Sequence, residues 1–152
     1  MILVSACLVG QHTRYDANHA LNPELTEYLQ GRAHLALCPE LLAGLGVPRA
    51  PVKIQGGRQG QEGRDVLQGR AKVIDSQGRD LTGPFIKGAE LVARTALQAG
   101  VKRCFLKDRS PSCAWDPQGE NPKGGPRLGV LTALLLDAGL EVVECRSQAA
   151  PR

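Results

Sequence analysis

Residues 1–10 read MILVSACLVG, and the first seven of them decide the fold. A short uncharged run rich in Ile, Leu and Val is the pattern of a parallel strand covered on both faces. Parallel strands need crossover connections, and helical segments follow at the right intervals. In NPELTEYLQGR, Asn22 can cap, Pro23 takes the first helical position, Glu24 enters the first turn and Gly31 marks the end, so a helix is predicted over residues 23–30. AHLALCPE, residues 33–40, reads as a second strand that ends on Cys38, as the first ends on Cys7.

Further along, LLAGLGVPRAPVKI (41–54) holds enough Gly and Pro for one helical turn and then irregular chain. QGGRQGQEGRD (55–65) has the composition of a loop suited to a lid. Residues 65–82 allow two short strands about a turn at Gln68 and Gly69, or a loop and one strand over 70–75. In residues 81–100, Thr82 is a cap, Phe85, Ala89, Val92, Ala93 and Ala96 share one helical face, and Gly100 is a stop. VKRCFLKDRSPSCAWD (101–116) is a third strand running into a loop, and residues 118–129 continue that loop. A last helix closes at Gly139, a last strand covers 140–144, and residues 147–152 are expected to form a disordered tail. The alternation predicts one α/β domain over residues 1–146, a three-layer sandwich around a mostly parallel sheet, Rossmann-like in plan.

Size and composition narrow the function. A chain of 152 residues suits one core, with roughly two-thirds of the unfolded surface buried. The net charge of +4 is spread without blocks and aromatic residues make up 3%, which leaves no stacking platform for nucleic acid. No stretch approaches the ~20 apolar residues of a membrane span, and no signal peptide is evident, so a cytoplasmic protein is expected. Five cysteines is an odd number, and a reducing compartment argues against a disulfide framework. A monomer or small homo-oligomer acting on a small molecule is the expected form.

In open parallel sheets the ligand sits beyond the carboxyl ends of the strands. Cys7 and Cys38 stand there, and the third strand leads through Lys107 and Asp108 to Ser110, Ser112 and Cys113. Cys104 lies within a strand and Cys145 at the end of the last one; both read as core thiols. Three converging thiolates suit zinc, copper or an iron–sulfur cluster, against a bland reading as unrelated buried thiols. The absence of any CxxC argues against a zinc ribbon or a dithiol. His12, His19 and His34 are the candidates for a fourth zinc ligand, while a cluster held by three cysteines keeps one iron open. Glu40 could serve as general acid or base, or simply sit at a helix start. Ser110 and Ser112 could hydrogen-bond a substrate or pass a proton, or serve turn chemistry. Arg14 and Asp16 could bind polar substrate atoms or pair with one another. Gly124 and Gly125 lack both the Walker spacing and GxGxxG, which excludes nucleotide binding by those motifs.

ILVSACLVG with RYD, LCPE with GLGVPR, VIDSQGRDLTGPFIKGAE, LKDRSPSC and a later GVLTALL occur in that order over about residues 2–145. The chain resembles the thiouracil desulfidase family. The resemblance implies a [4Fe–4S] enzyme that removes sulfur from a thiocarbonyl such as 2-thiouracil, by C–S bond hydrolysis without net redox change. It implies Cys7, Cys38 and Cys113 as cluster ligands, Glu40 and Ser110 for acid–base help with Ser112 as second choice, and an open iron that receives the substrate sulfur. Arg14 and Asp16 would line the substrate pocket. The chain departs from the family pattern at Thr13, where some members carry a second cysteine, and at Ala17, where many have glycine. The competing readings are an iron–sulfur or zinc binding or sensor module without catalysis, and a thiol redox protein using Cys7 or Cys38.

Overall fold

A computed structural model of the chain describes residues 1–146; the expected tail, 147–152, lies outside the described residues. Four parallel strands form the central sheet in the order β2 (His34–Leu37), β1 (Ile2–Ser5), β5 (Arg103–Lys107), β6 (Glu141–Cys145). Ile2 pairs with His34 on one side and Arg103 on the other, and Arg103 with Glu141, so the four strands finish nearly level. Leu3, Cys104, Leu106 and Val142 point to one face of the sheet, while Val4 and Phe105 point to the other. That period of two, with apolar residues on both sides, is why the strands read as continuous hydrophobic runs.

Each face has its own cover. α1 (Pro23–Leu29) closes one with Leu25 and Leu29. Asn22 accepts the Leu25 N–H at 3.0 Å and Pro23 opens the helix, as the sequence predicts. α4 (Thr82–Gln98) and α5 (Val130–Asp137) cover the other face, with Phe85, Ala89, Val92, Ala93 and Ala96 all buried. Thr82 is not the cap expected of it. It is the first helical residue; Asp80 accepts its N–H, and its hydroxyl accepts the Val73 N–H at 2.9 Å, which fastens α4 to a neighbouring strand.

Residues 41–82 differ most from expectation. β3 (Val52–Gly56) and β4 (Ala71–Asp75) form a separate antiparallel pair, joined by α3 (Glu62–Leu67). Of the two alternatives for residues 65–82, the single strand is the one formed. The expected lid over 55–65 is instead the end of β3, a turn and the start of α3. Its Arg58 is fixed by Asp65, whose Oδ1 accepts Arg58 Nη2 at 2.7 Å and whose Oδ2 accepts the Arg58 N–H at 2.7 Å. Asp65 is 1% exposed. The Arg58 hydrogen bonds hold its carboxyl down at about 2, against an ordinary 3.8. A group depressed in this way stabilises the fold fully above 3.8 and stops doing so as pH falls towards 2. Asp65→Asn is therefore expected to melt several degrees below wild type at neutral pH. In melting curves taken at stepwise lower pH, the gap should close between 3.8 and about 2.

Candidate metal centre and active site

The order β2-β1-β5-β6 reverses direction between β1 and β5, and the ligand crevice of a parallel sheet lies beyond the carboxyl ends at such a reversal. A cavity lies there. Ser5, Cys7, Cys38, Glu40, Lys107 and Cys113 are on its wall, with Arg14, Tyr15, Arg49 and Ser110. Cys104 and Cys145 are not.

Cys7 comes two residues after its strand, not at its end. β1 stops at Ser5, and Cys7 sits in a 3₁₀ turn, Ala6–Val9, closed by Gly10 at φ 95°. The Cys7 carbonyl accepts the N–H of Ala20 at 2.9 Å, which ties residues 11–20 back to the turn. Cys38 is the N-cap residue of α2 (Pro39–Leu42), whose first turn carries Glu40. α4 presses close against α2: a Cβ on Gly88 would run into the Pro39 carbonyl and lie 3.0 Å from the Ala43 Cβ. Cys113 lies in the turn after β5, and that turn caps α5. The N–H of Val130 donates to Pro111 O at 2.9 Å, that of Leu131 to Ser112 O at 2.8 Å, and Thr132 Oγ1 to Cys113 O at 2.9 Å. The free N–H groups of the helix start are thus used to hold the cysteine loop, which is why Gly129 caps without a side chain.

Gly129 must be glycine for that contact. A Cβ there would meet the Ser112 carbonyl group and lie 2.6 Å from Cys113 N, all backbone that cannot swing aside. Behind it, Gly63 of α3 packs on Gly129 with no room for a side chain. Gly129→Ala is expected to cost about 1–3 kcal/mol of stability by overpacking. The loop that moves carries Cys113, which the family resemblance implies as a cluster ligand, so the expected iron per folded chain falls as well. Iron assays on the folded fraction check this; wild-type metal content in that variant would show that the loop has give.

The polar groups around the thiols are held by hydrogen bonds. Glu40 Oε1 accepts both Nε (3.1 Å) and Nη2 (2.9 Å) of Arg49, and Oε2 accepts Ser112 Oγ at 3.0 Å. Ser112 is buried and off the cavity wall, so its hydroxyl serves Glu40. Ser110 Oγ accepts the N–H groups of Ser112 (3.1 Å) and Cys113 (3.2 Å) and is on the wall. Arg14 is on the wall and Asp16 is not; the two pair at 3.8 Å, and Asp16 also accepts the Asn18 N–H. Ala17, where the family pattern favours glycine, has φ 62°, the left-handed conformation glycine tolerates best. Arg49 and Tyr15 were not singled out from the sequence. A half-buried arginine nine residues after a glutamate has no spacing signature, and only the GLGVPR match around it gave a signal.

Among the described residues no three His, Cys, Asp or Glu side chains are arranged to hold one metal ion. His12, His19 and His34 are all off the cavity wall. A zinc site draws its sulfurs to about 2.3 Å from a single point. Cys7, Cys38 and Cys113 reach the same cavity from three separate loops, and the thiolate set they offer suits an iron–sulfur cluster as well as zinc. Burial pushes the Cys7 thiol up to about 11, with Lys107 pulling the other way, and raises Cys38 and Cys113 too. As free groups they stay protonated at neutral pH, unlike the depressed thiols of dithiol oxidoreductases. Metal binding would displace those protons.

No helix among the described residues is long and apolar enough to cross a membrane. The chain is 36% identical over 146 residues to the uncharacterized protein YbbK of Bacillus subtilis (strain 168), covering 94% of each. A solved structure described as the [4Fe–4S]-dependent thiouracil desulfidase TudS is 35% identical, with a TM-score of 0.70 over 94% of this chain and 89% of that one. The profile of the 2-thiouracil desulfurase family matches residues 2–146, and the chain belongs to that family.

Proposed function

We propose that this protein hydrolyses the C=S bond of a thiolated pyrimidine such as 2-thiouracil, using a [4Fe–4S] cluster bound by Cys7, Cys38 and Cys113. The observation that carries the reading is that these three thiols and the Arg49-paired carboxylate of Glu40 share one cavity wall at the sheet's switch point. The likeness to TudS, described as [4Fe–4S]-dependent, supports the same group here. When bound, such a cluster held by Cys7, Cys38 and Cys113 would supply Lewis acidity towards the thiocarbonyl sulfur.

The chain's own residues do the remaining work. Glu40 accepts a proton from the water that attacks the thiocarbonyl carbon, its orientation held by Arg49 and Ser112. Ser110 uses its backbone-bound oxygen to fix the loop and keeps its O–H to donate to the substrate. Arg14, steered by Asp16, meets polar substrate atoms at the cavity mouth. The balance closes without an electron carrier: water oxygen becomes the carbonyl oxygen, and sulfur leaves as sulfide with the protons water brought.

The test is anaerobic reconstitution followed by iron, sulfide and product assays. The expected result is about four irons and four sulfides per chain, and one uracil and one sulfide released per 2-thiouracil consumed. A protein that takes up a single zinc, or a loaded protein inert towards every thiocarbonyl offered, overturns the reading.

A further inference from the structure

The Arg49 side chain makes four hydrogen bonds at the cavity wall. Its Nε and Nη2 both donate to Glu40 Oε1, at 3.1 and 2.9 Å. Nη2 also donates to Thr13 O at 2.9 Å, and Nη1 to Gly46 O at 2.8 Å. Its backbone N–H donates to Tyr15 O at 2.8 Å. The pair is well shielded, at 11% exposure for Arg49 and 13% for Glu40. One guanidinium therefore joins three pieces of chain, the first turn of α2, the turn at Gly46 and Thr13, while the Arg49 backbone holds Tyr15. Towards its ends the segment 11–18 is tied to the turn after β1 by Gln11 N–H to Ala6 O at 3.3 Å and Ala20 N–H to Cys7 O at 2.9 Å; between them its bonds are mostly within itself, such as Arg14 N–H to Asn18 O and Ala17 N–H to Arg14 O, so Arg49 holds its middle.

We propose that Arg49 is a positioning residue that couples the orientation of Glu40 to the seating of the 11–18 segment, so that the carboxylate is aligned only when that segment is docked over the cavity. This rests on the desulfidase reading for its catalytic consequence but not for the coupling itself. The planar fork reaches all three partners at once: Nη2 serves Glu40 and Thr13, Nε adds a second bond to Glu40 and Nη1 holds Gly46, whereas a lysine puts one ammonium in place of three nitrogens and loses the Nε and Nη1 bonds. The consequence for substrate is direct. Arg14 and Tyr15, carried by the same segment, meet the ligand, and their docking is transmitted to Glu40 through a single side chain.

The experiment is a cycle of wild type, Glu40→Gln, Arg49→Gln and the double variant, with Arg49→Lys beside them. kcat and KM are measured on reconstituted protein, and backbone hydrogen exchange on residues 11–18. Arg49→Gln should lower kcat roughly 100-fold, the scale of a misaligned catalytic group, with cluster content unchanged. The double variant should be no slower than Glu40→Gln alone, because both changes act on one carboxylate. Arg49→Lys should recover part of kcat. Exchange in 11–18 should quicken in Arg49→Gln and much less in Glu40→Gln, whose amide oxygen still accepts from the guanidinium but without the charge. Multiplicative losses in the double variant, or unchanged exchange in Arg49→Gln, overturn the coupling. If no thiocarbonyl is turned over by wild type, the desulfidase reading fails by itself, and the exchange data alone decide the coupling. A variant that does not fold is replaced by Arg49→Lys, for which unaltered exchange at Thr13 and Tyr15 counts against the proposal.

Discussion

Alanine at Cys7, Cys38 or Cys113 will each yield a folded protein that holds no intact [4Fe–4S] cluster and releases no sulfide from 2-thiouracil, while Cys104→Ala and Cys145→Ala keep both. The division follows from where each thiol is. Cys7, Cys38 and Cys113 come from three separate turns beyond the carboxyl ends of β1, β2 and β5, and all reach one cavity. A three-point attachment that loses one point leaves a second iron without a protein ligand, and such a cluster is readily lost. Cys104 is fully buried in the larger core between Leu3 and Val142, and burial pushes its thiol up to about 12. Alanine there removes one buried sulfur, a cost of about 1 kcal/mol. Cys145 ends β6, the outer strand, and packs with Val143 against the smaller core. Iron and acid-labile sulfide per chain, with circular dichroism to confirm folding, give the comparison. A full cluster in Cys113→Ala would remove that residue from the ligand set, and with it the three-cysteine assignment.

The sheet was legible because both faces are covered. Apolar residues at Ile2–Val4, Cys104–Leu106 and Val142–Val143 leave little choice of structure, and Asn22–Pro23 and Gly100 mark helix ends by local stereochemistry. The region 41–82 was not legible for the opposite reason. β3 alternates half-buried Val52 and Ile54 with exposed Lys53 and Gln55, and α3 is a six-residue helix whose first turn is Glu-Gly-Arg-Asp. Neither has enough apolar pattern to stand out from loop, and both are stabilised by long-range contacts: the ladder to β4, the Asp65–Arg58 bonds, and Gly63 against Gly129. The same distinction divides the site. Residues at strand ends could be gathered from topology alone. The partnership of Glu40 with Arg49 and Ser112 spans 9 and 72 residues of sequence and depends on how α2 seats on α4, which no spacing rule encodes.

Glu40→Gln is the sharpest separation of chemistry from structure that the site allows. The amide has the shape of the carboxylate. Its oxygen can still accept from Arg49, and its NH₂ can donate to Ser112 Oγ, which then turns from donor to acceptor. The packing of α2 on α4 and the position of Cys38 two residues earlier are therefore kept, and the cluster should load as in wild type. What is lost is the ability to take a proton from the attacking water. General-base assistance contributes typically about 10²–10⁴-fold, and kcat should fall by that factor with KM little changed. Ser112→Ala, which removes only the donor to Oε2, should cost far less, about tenfold. The contrast between neighbours carries the argument: Cys38→Ala abolishes activity by emptying the site, whereas Glu40→Gln abolishes it with the site loaded. A Glu40→Gln enzyme that retains more than a tenth of wild-type kcat would assign the proton to another group. Ser110, on the same wall with an O–H not used to fix the loop, is then the residue to change next.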